Sequence, residues 1–217
     1  MSRLFVGRPK QPTTPRVSSN TDPTRVLILE QAAKMFRCFG YENTSLAMIA
    51  EAINLTAPAI YRHFPSKYEL FASSVTKLQI GFDDRMEQLT HQEGDSAAAK
   101  IRALTIAHSL HQLQRAIPEG TASNSVFTIG QLAEHLQEPN RSTVQGLQRK
   151  HFERVRDIVN EGIASREFDV ADAAVAAFSL IALPEHLVLW YRRTGPMSQN
   201  EVAEMLADLA LRMLVAR

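Results

Sequence analysis

Apolar residues recur every three or four positions along most of this chain, and no stretch alternates apolar with polar residues over the length of a strand. That periodicity predicts an all-α protein. From Thr24 onward, Ile28, Ala32, Phe36 and the nearby Phe39 follow helical spacing, with Asp22-Pro23 as cap and first-turn proline and Gly40 placed to close the helix. Two short helices follow. Thr44 or Ser45 caps the first, which runs to about Ile53; the second begins at Thr56 and stops at Phe64, because the residue before Pro65 is pushed out of the α region. Ser66-Lys67-Tyr68-Glu69 has capping-box spacing and opens a longer helix through Leu70, Phe71, Val75, Leu78, Phe82 and Met86 to about Leu89. Further helices are expected at 96–115, 125–137, 141–164, 172–194 and 198–216, separated by Gln92-Glu93-Gly94-Asp95, Pro118-Glu119-Gly120, Pro139-Asn140, Ser165 to Asp169 and Gly195-Pro196.

The two short helices, joined by Asn54-Leu55, have the form of a helix-turn-helix. So tight a reversal calls for a residue at positive φ, and asparagine is the non-glycine type best suited to it. Leu46, Ile49, Ala50 and Ile53 would face the core from one helix, and Leu55, Ile60 and Phe64 from the other. At about 100° per residue, Pro58 and Arg62 lie opposite Ile60, with Ala57 and Tyr61 on one side and Ala59 and His63 on the other. That face is small near its N-terminus and polar toward its C-terminus. It suits close approach to a major groove, with Arg62 able to bond guanine O6 and N7 or a phosphate, and small side chains able to meet a thymine methyl. Thr44, Ser45, Tyr61, His63 and Lys67 suit phosphate oxygens.

The segment from Ile49 to Leu70 resembles the DNA-binding domain of the TetR family of bacterial repressors: Ile49-Ala50, Tyr61-Arg62-His63-Phe64 and Ser66-Lys67-x-x-Leu70 all fall at the family's spacing. The resemblance implies that Thr44, Tyr61, His63 and Lys67 hold the DNA backbone, and that Thr56, Ala57, Pro58, Ala59 and Arg62 lie near bases. Two positions depart from the family pattern. Asn54 stands where glycine is usual, and Ala57 replaces a frequent basic or polar residue, which shifts base readout toward apolar contact and Arg62.

Charge supports this only when it is divided along the chain. The 217 residues carry a formal net charge of +1, which taken whole argues against a nucleic-acid partner. Residues 1–68, however, hold nine Lys and Arg against four Asp and Glu, net +5, whereas residues 69–217 hold 15 against 19, net −4. A basic flexible arm is expected over 1–23, where Arg8 or Lys10 suits a minor groove; a DNA-binding head over 24–68; and an effector-binding and dimerisation domain over 69–217.

The resemblance implies that this last part is all-helical and dimerises through its last two helices, 172–194 and 198–216. Ala173 to Leu183 is apolar almost all round, and Val202, Met205-Leu206, Leu209 and Met213-Leu214 recur at helical spacing. A two-fold homodimer requires a palindromic double-stranded DNA operator. For a small-molecule effector, Leu104, His108, His111 and Arg115 share one helical face, Pro184 should kink the backbone beside Glu185, His186 and Trp190, and Phe82, Met86, Phe127, Phe152 and Phe178 complete an apolar cavity. Residues Leu189 to Ser198 also resemble a branch of the family associated with acyl-thioester or other lipid-like effectors.

Two other classes of function compete with this reading. Catalysis is not expected: there is no phosphate loop, no Gly-x-Ser-x-Gly and no His-Glu-x-x-His, and the lone Cys38 lies in the first helix as a buried thiol. No cofactor or resident metal is expected either. The alternative regulator is metal-responsive, using His108 and His111 with His186 or Glu185. A single cysteine, no apolar run of about 18 residues and no signal-peptide core predict a cytoplasmic protein without a membrane partner.

Overall fold

The computed structural model describes residues 22–90, 96–114 and 128–215, and among these residues it contains ten helices and no strand. Residues 1–21 of the expected arm, Arg115 and Phe127 lie outside them. Local cap chemistry sets the first boundaries. Helix α1 (Pro23–Phe39) starts at Asp22, whose carboxylate accepts from the Thr24 amide at 2.9 Å, and ends at Gly40, whose φ of 76° is open to a residue without Cβ. Ser45 caps α2 (Leu46–Ala52) by accepting from the Met48 amide at 3.1 Å. Asn54 takes φ 55° in the turn, and Thr56 precedes α3 (Ala57–Tyr61). The third helix ends at Tyr61, three residues short of the expected Phe64; the amides of His63 and Phe64 both bond the Ile60 carbonyl, so the chain leaves through a tight turn.

The long helix α4 (Lys67–Thr90) follows, with Ser66 Oγ accepting from the Glu69 amide at 3.1 Å. Then come α5 (Ala97–Gln114), the short α6 (Ile129–Ala133) capped by Thr128 and Gln131, and α7 (Asn140–Ala164). The helix expected over 125–137 is therefore only five residues long where it is described. The helix expected over 172–194 is broken: α8 (Ala173–Glu185) gives way at His186 to α9 (Leu187–Trp190), because Pro184 has no N–H to continue the ladder. A reciprocal Ser198–Glu201 capping box opens α10 (Gln199–Leu214).

Among the described residues the core falls into three apolar clusters. Ile28, Phe36, Ile49, Ile60, Phe64, Leu70 and Phe71 form the first, and it also takes in Val75 from α4, Leu132 and Ala133 from α6, Leu136 just after it and Val144 from α7. The second lies among α4, α5, α7, α8 and α10, and the third joins Leu113, Leu187, Tyr191 and Val202. Helix α10 packs along α5, where Arg102 pairs with Glu204 and Asp208. Between α4 and α7, buried Asp83 bonds Arg154 at 2.9 Å and Lys150 at 3.2 Å, and Lys150 also meets Glu87 at 2.8 Å. Cys38 is buried as expected, and burial pushes its thiol up.

One expectation about membranes is corrected. Ala173–Trp190 is an 18-residue stretch of mean hydropathy 1.7, long and apolar enough by composition to cross a bilayer, although the backbone breaks within it at His186. Only 22% of it is buried, so α8 and α9 present apolar surface outward.

Candidate functional site

The helix-turn-helix presents a continuous outer face. Ser45, Thr56, Pro58 and Arg62 are exposed, Tyr61 is 53% exposed, and Ala57 is half-buried between them. Two residues expected at DNA are placed elsewhere. Ala59 lies beside Ile60 against the core, since neighbours on so short a helix share its inner side, and is buried. Thr44 is only 1% exposed: its hydroxyl donates to the Gly40 carbonyl at 2.8 Å and approaches that of Met35 at 3.3 Å, closing the end of α1. His63 and Lys67 stand at the edge of the face and already have partners. His63 Nδ1 faces the Asp22 carboxylate at 3.2 Å, while Lys67 Nζ donates to the Glu42 carbonyl at 3.3 Å and sits 4.4 Å over the Tyr41 ring.

Behind this head lies a cavity of about 310 Å³. Of the residues expected there, Phe82, His108, His111, Phe152, Phe178 and Glu185 line it. The rest do not. Met86 is fully buried in the second cluster, and Leu104 is core that borders only a cleft of about 20 Å³. His186 turns its Nδ1 to the Ala182 carbonyl at 2.8 Å, and Trp190, 52% exposed, borders a separate groove along α10. The wall includes residues that the periodicity did not single out: Arg37 from α1, Gln79 from α4, Gln112 from α5, Thr128 and Ile129 at the start of α6, and Gln148 and His151 from α7. The available signal was polar residues inside buried stripes, such as Gln148 and His151 on the face of Val144 and Val155.

The polar side of the cavity is connected. Arg37, 7% exposed, donates from Nη2 to Gln112 Oε1 at 3.4 Å, and Gln112 Nε2 lies 3.3 Å from His108 Nε2. Phe82 sits among three imidazoles, with centroids 4.8 Å from His108 and 4.9 Å from both His111 and His151. Burial, with His151 and His111 nearby, holds His108 well below its ordinary range. Burial and the Arg154 charge lower His151 to about 4, against a smaller pull from Asp83. Burial raises the Glu185 carboxyl, partly offset by His186. Apolar surface in the same cavity comes from Phe152 and Phe178, whose rings are 4.4 Å apart.

The metal alternative is not supported. Among the described residues, only Asp83, Asp84 and Glu87 gather three ligand atoms, and two of these carboxylates are already paired with Lys150 and Arg154; His108 and His111 find no third ligand.

Residues 28–73 match the family described as bacterial regulatory proteins, tetR family, and residues 94–214 match the tetracyclin repressor-like C-terminal domain. The uncharacterized HTH-type transcriptional regulator YhgD of Bacillus subtilis is 28% identical over 186 residues, spanning 83% of this chain and 91% of its own. The HTH-type transcriptional repressor KstR2 of Mycobacterium tuberculosis is 24% identical over 197 residues, covering 90% and 95%. Its solved structure superposes with a TM-score of 0.74 at 21% identity, over 93% of this chain and all of the other. AibR in complex with isovaleryl coenzyme A and operator DNA shares the fold with a TM-score of 0.67 at 20% identity, over 88% and 97%. The family matches cover the head and the helical body alike, and the chain belongs to the tetR family of bacterial regulatory proteins, a transcriptional regulator and not an enzyme.

Proposed function

We propose that this protein is a cytoplasmic, homodimeric repressor, released from a palindromic operator when an apolar or lipid-like small molecule fills the cavity behind its head. The observation that carries this reading is the position of α6. Thr128 and Ile129 at its start line the cavity, and Leu132, Ala133 and Leu136 just beyond pack into the apolar core of the head. A molecule that displaces Ile129 therefore acts on the packing that holds α1 to α4. Residues 24–68 read DNA in this scheme, through Ser45, Thr56, Ala57, Pro58, Tyr61, Arg62, His63 and Lys67, while 69–217 sense and dimerise.

Exposed apolar residues support the dimer. Val175 and Phe178 on α8, and Met205, Leu209 and Met213 on α10, are each 44% exposed or more and recur at helical spacing, which marks a surface that another copy would cover. The cavity's size and its combination of apolar surface with polar side chains fit a small-molecule site. The isovaleryl coenzyme A bound by AibR and the ketosteroid regulation named for KstR2 support an effector with an apolar body, an acyl thioester among them. Genome-wide binding, followed by gel shift on the adjacent promoter, tests the proposal. A saturable, salt-sensitive preference for a palindromic site is expected; its absence overturns the reading.

A further inference from the structure

Asp22 uses its two carboxylate oxygens for different partners. Oδ1 accepts from the Thr24 amide at 2.9 Å and so caps α1, while Oδ2 lies 3.2 Å from His63 Nδ1 at the edge of the helix-turn-helix face. Capping alone requires neither the charge nor the second oxygen, since serine, threonine and asparagine serve that position as well. The backbone under His63 is already fixed: its amide and that of Phe64 bond the Ile60 carbonyl, and Phe64 is buried in the first cluster. What remains open is the lie of the ring, because turning an imidazole over exchanges each nitrogen for a carbon. A carboxylate beside Nδ1 favours one of these two orientations. The side chains of His63 and Asp22 are 18% and 30% exposed, so solvent screens the contact only in part.

We propose that Asp22 is a positioning residue for DNA binding, holding the His63 ring so that Nε2, at its far end, donates to a phosphate oxygen of the duplex. This rests on the reading of the helix-turn-helix face as the surface that meets DNA. The imidazolium donates from both nitrogens and in this arrangement bridges two anions, Asp22 at Nδ1 and phosphate at Nε2. Standing alone, a carboxylate at the margin of such a surface repels the phosphates. Acting through His63, it strengthens the contact instead. A phosphate contact fixes register and adds affinity without reading bases, so the contribution of Asp22 is the same on every sequence.

The test is fluorescence anisotropy of a labelled random-sequence DNA duplex titrated with the full-length protein over a range of salt, each variant first shown by thermal melting to be folded at the assay temperature. Asp22→Ser keeps a capping hydroxyl and is too short to reach His63. Removing an acidic residue ordinarily tightens DNA binding; here it should weaken binding about tenfold and make the salt dependence shallower, as loss of a phosphate contact requires. Asp22→Asn keeps the length and an acceptor, and should bind between Asp22→Ser and wild type. In a His63→Ala background, Asp22→Ser should cause no further loss. Equal or tighter binding by Asp22→Ser, an unchanged salt slope, or a loss of the same size in the His63→Ala background would each overturn the proposal. The two readings fail separately. Duplex binding untouched by Arg62→Ala and Lys67→Ala removes the reading of this face; a response to those two with none to Asp22→Ser removes only the role of Asp22.

Discussion

The backbone amide of Gln137 donates a hydrogen bond of 2.8 Å to the hydroxyl of Tyr68, joining the segment after α6 to the first turn of α4. These residues are 69 positions apart. The contact adds a polar tie to an apolar one, for Tyr41, Phe71 and His135 are in ring contact close by. In the proposed scheme, movement of α6 would pass through these contacts to the helix that leaves the DNA-reading head.

Tyr68→Phe should weaken this transmission while leaving both binding sites intact. Loss of one such bond is worth about 1 kcal/mol. The expected result is unchanged effector affinity with about a fivefold smaller effect of effector on operator affinity. Anisotropy titrations of labelled operator with and without effector measure it; an undiminished response would show that the apolar contacts of α6 suffice.

Arg62→Ala and Lys67→Ala should differ in kind. Arg62 is exposed, so its loss should lower affinity for the operator by about 1–3 kcal/mol, relax base preference and leave thermal stability unchanged. Lys67 bonds the Glu42 carbonyl and covers Tyr41, so its replacement should weaken binding to all DNA alike, reduce the salt slope and also lower the melting temperature. Salt-dependent binding to specific and random duplexes, beside thermal melts, separates the two.

Asn54→Ala should destabilise the head by about 1–2 kcal/mol, because alanine lacks the local side-chain bonding that eases asparagine into the left-handed region. Asn54→Gly should be neutral or better, as φ 55° is free of strain for glycine. Chemical denaturation of the three proteins compares them directly.

Short-range chemistry made much of this fold readable from the residues. Asp22, Ser45 and Ser66 cap their helices as their types predict, and Asn54 adopts the positive φ its turn requires. Longer-range events were less readable. Pro65 bounds the third helix only from beyond, and the chain had already turned at Tyr61. Arg37, Gln112 and His151 line one cavity from three helices far apart in sequence, an arrangement set by packing and not by any local pattern. The same distinction explains Thr44, whose hydroxyl suits phosphate in isolation and is instead used on the carbonyls at the end of α1.

Asp83→Ala should cost about 3–5 kcal/mol, since it leaves Arg154, itself largely buried, without its main partner. Burial alone would raise the Asp83 carboxyl, but bonds from Arg154 and Lys150 outweigh it and leave the group below its ordinary 3.8. Its contribution is therefore complete above about pH 4 and is lost as pH falls through the lowered value. Thermal melts of wild type and variant over acid pH should converge as the carboxylate is protonated.

Acid should weaken the protein earlier through its buried imidazoles. His151 titrates at about 4 when folded and at an ordinary 6.5 when unfolded, so below 6.5 the unfolded chain binds the extra proton. Stability is then full above that value and declines toward about 4, with His108 acting in the same direction. His151→Phe should flatten the melting temperature between these limits; an equally steep profile would place the acid sensitivity elsewhere.

Phe178 is 65% exposed and yet walls the cavity, its ring against Phe152. In the proposed dimer one ring would serve both the subunit junction and the effector, and two equilibria that share a group are thermodynamically reciprocal. The dose of effector needed to free an operator would then depend on how many copies of the regulator a cell holds. Abundance would tune sensitivity as well as occupancy, without any change in the binding site.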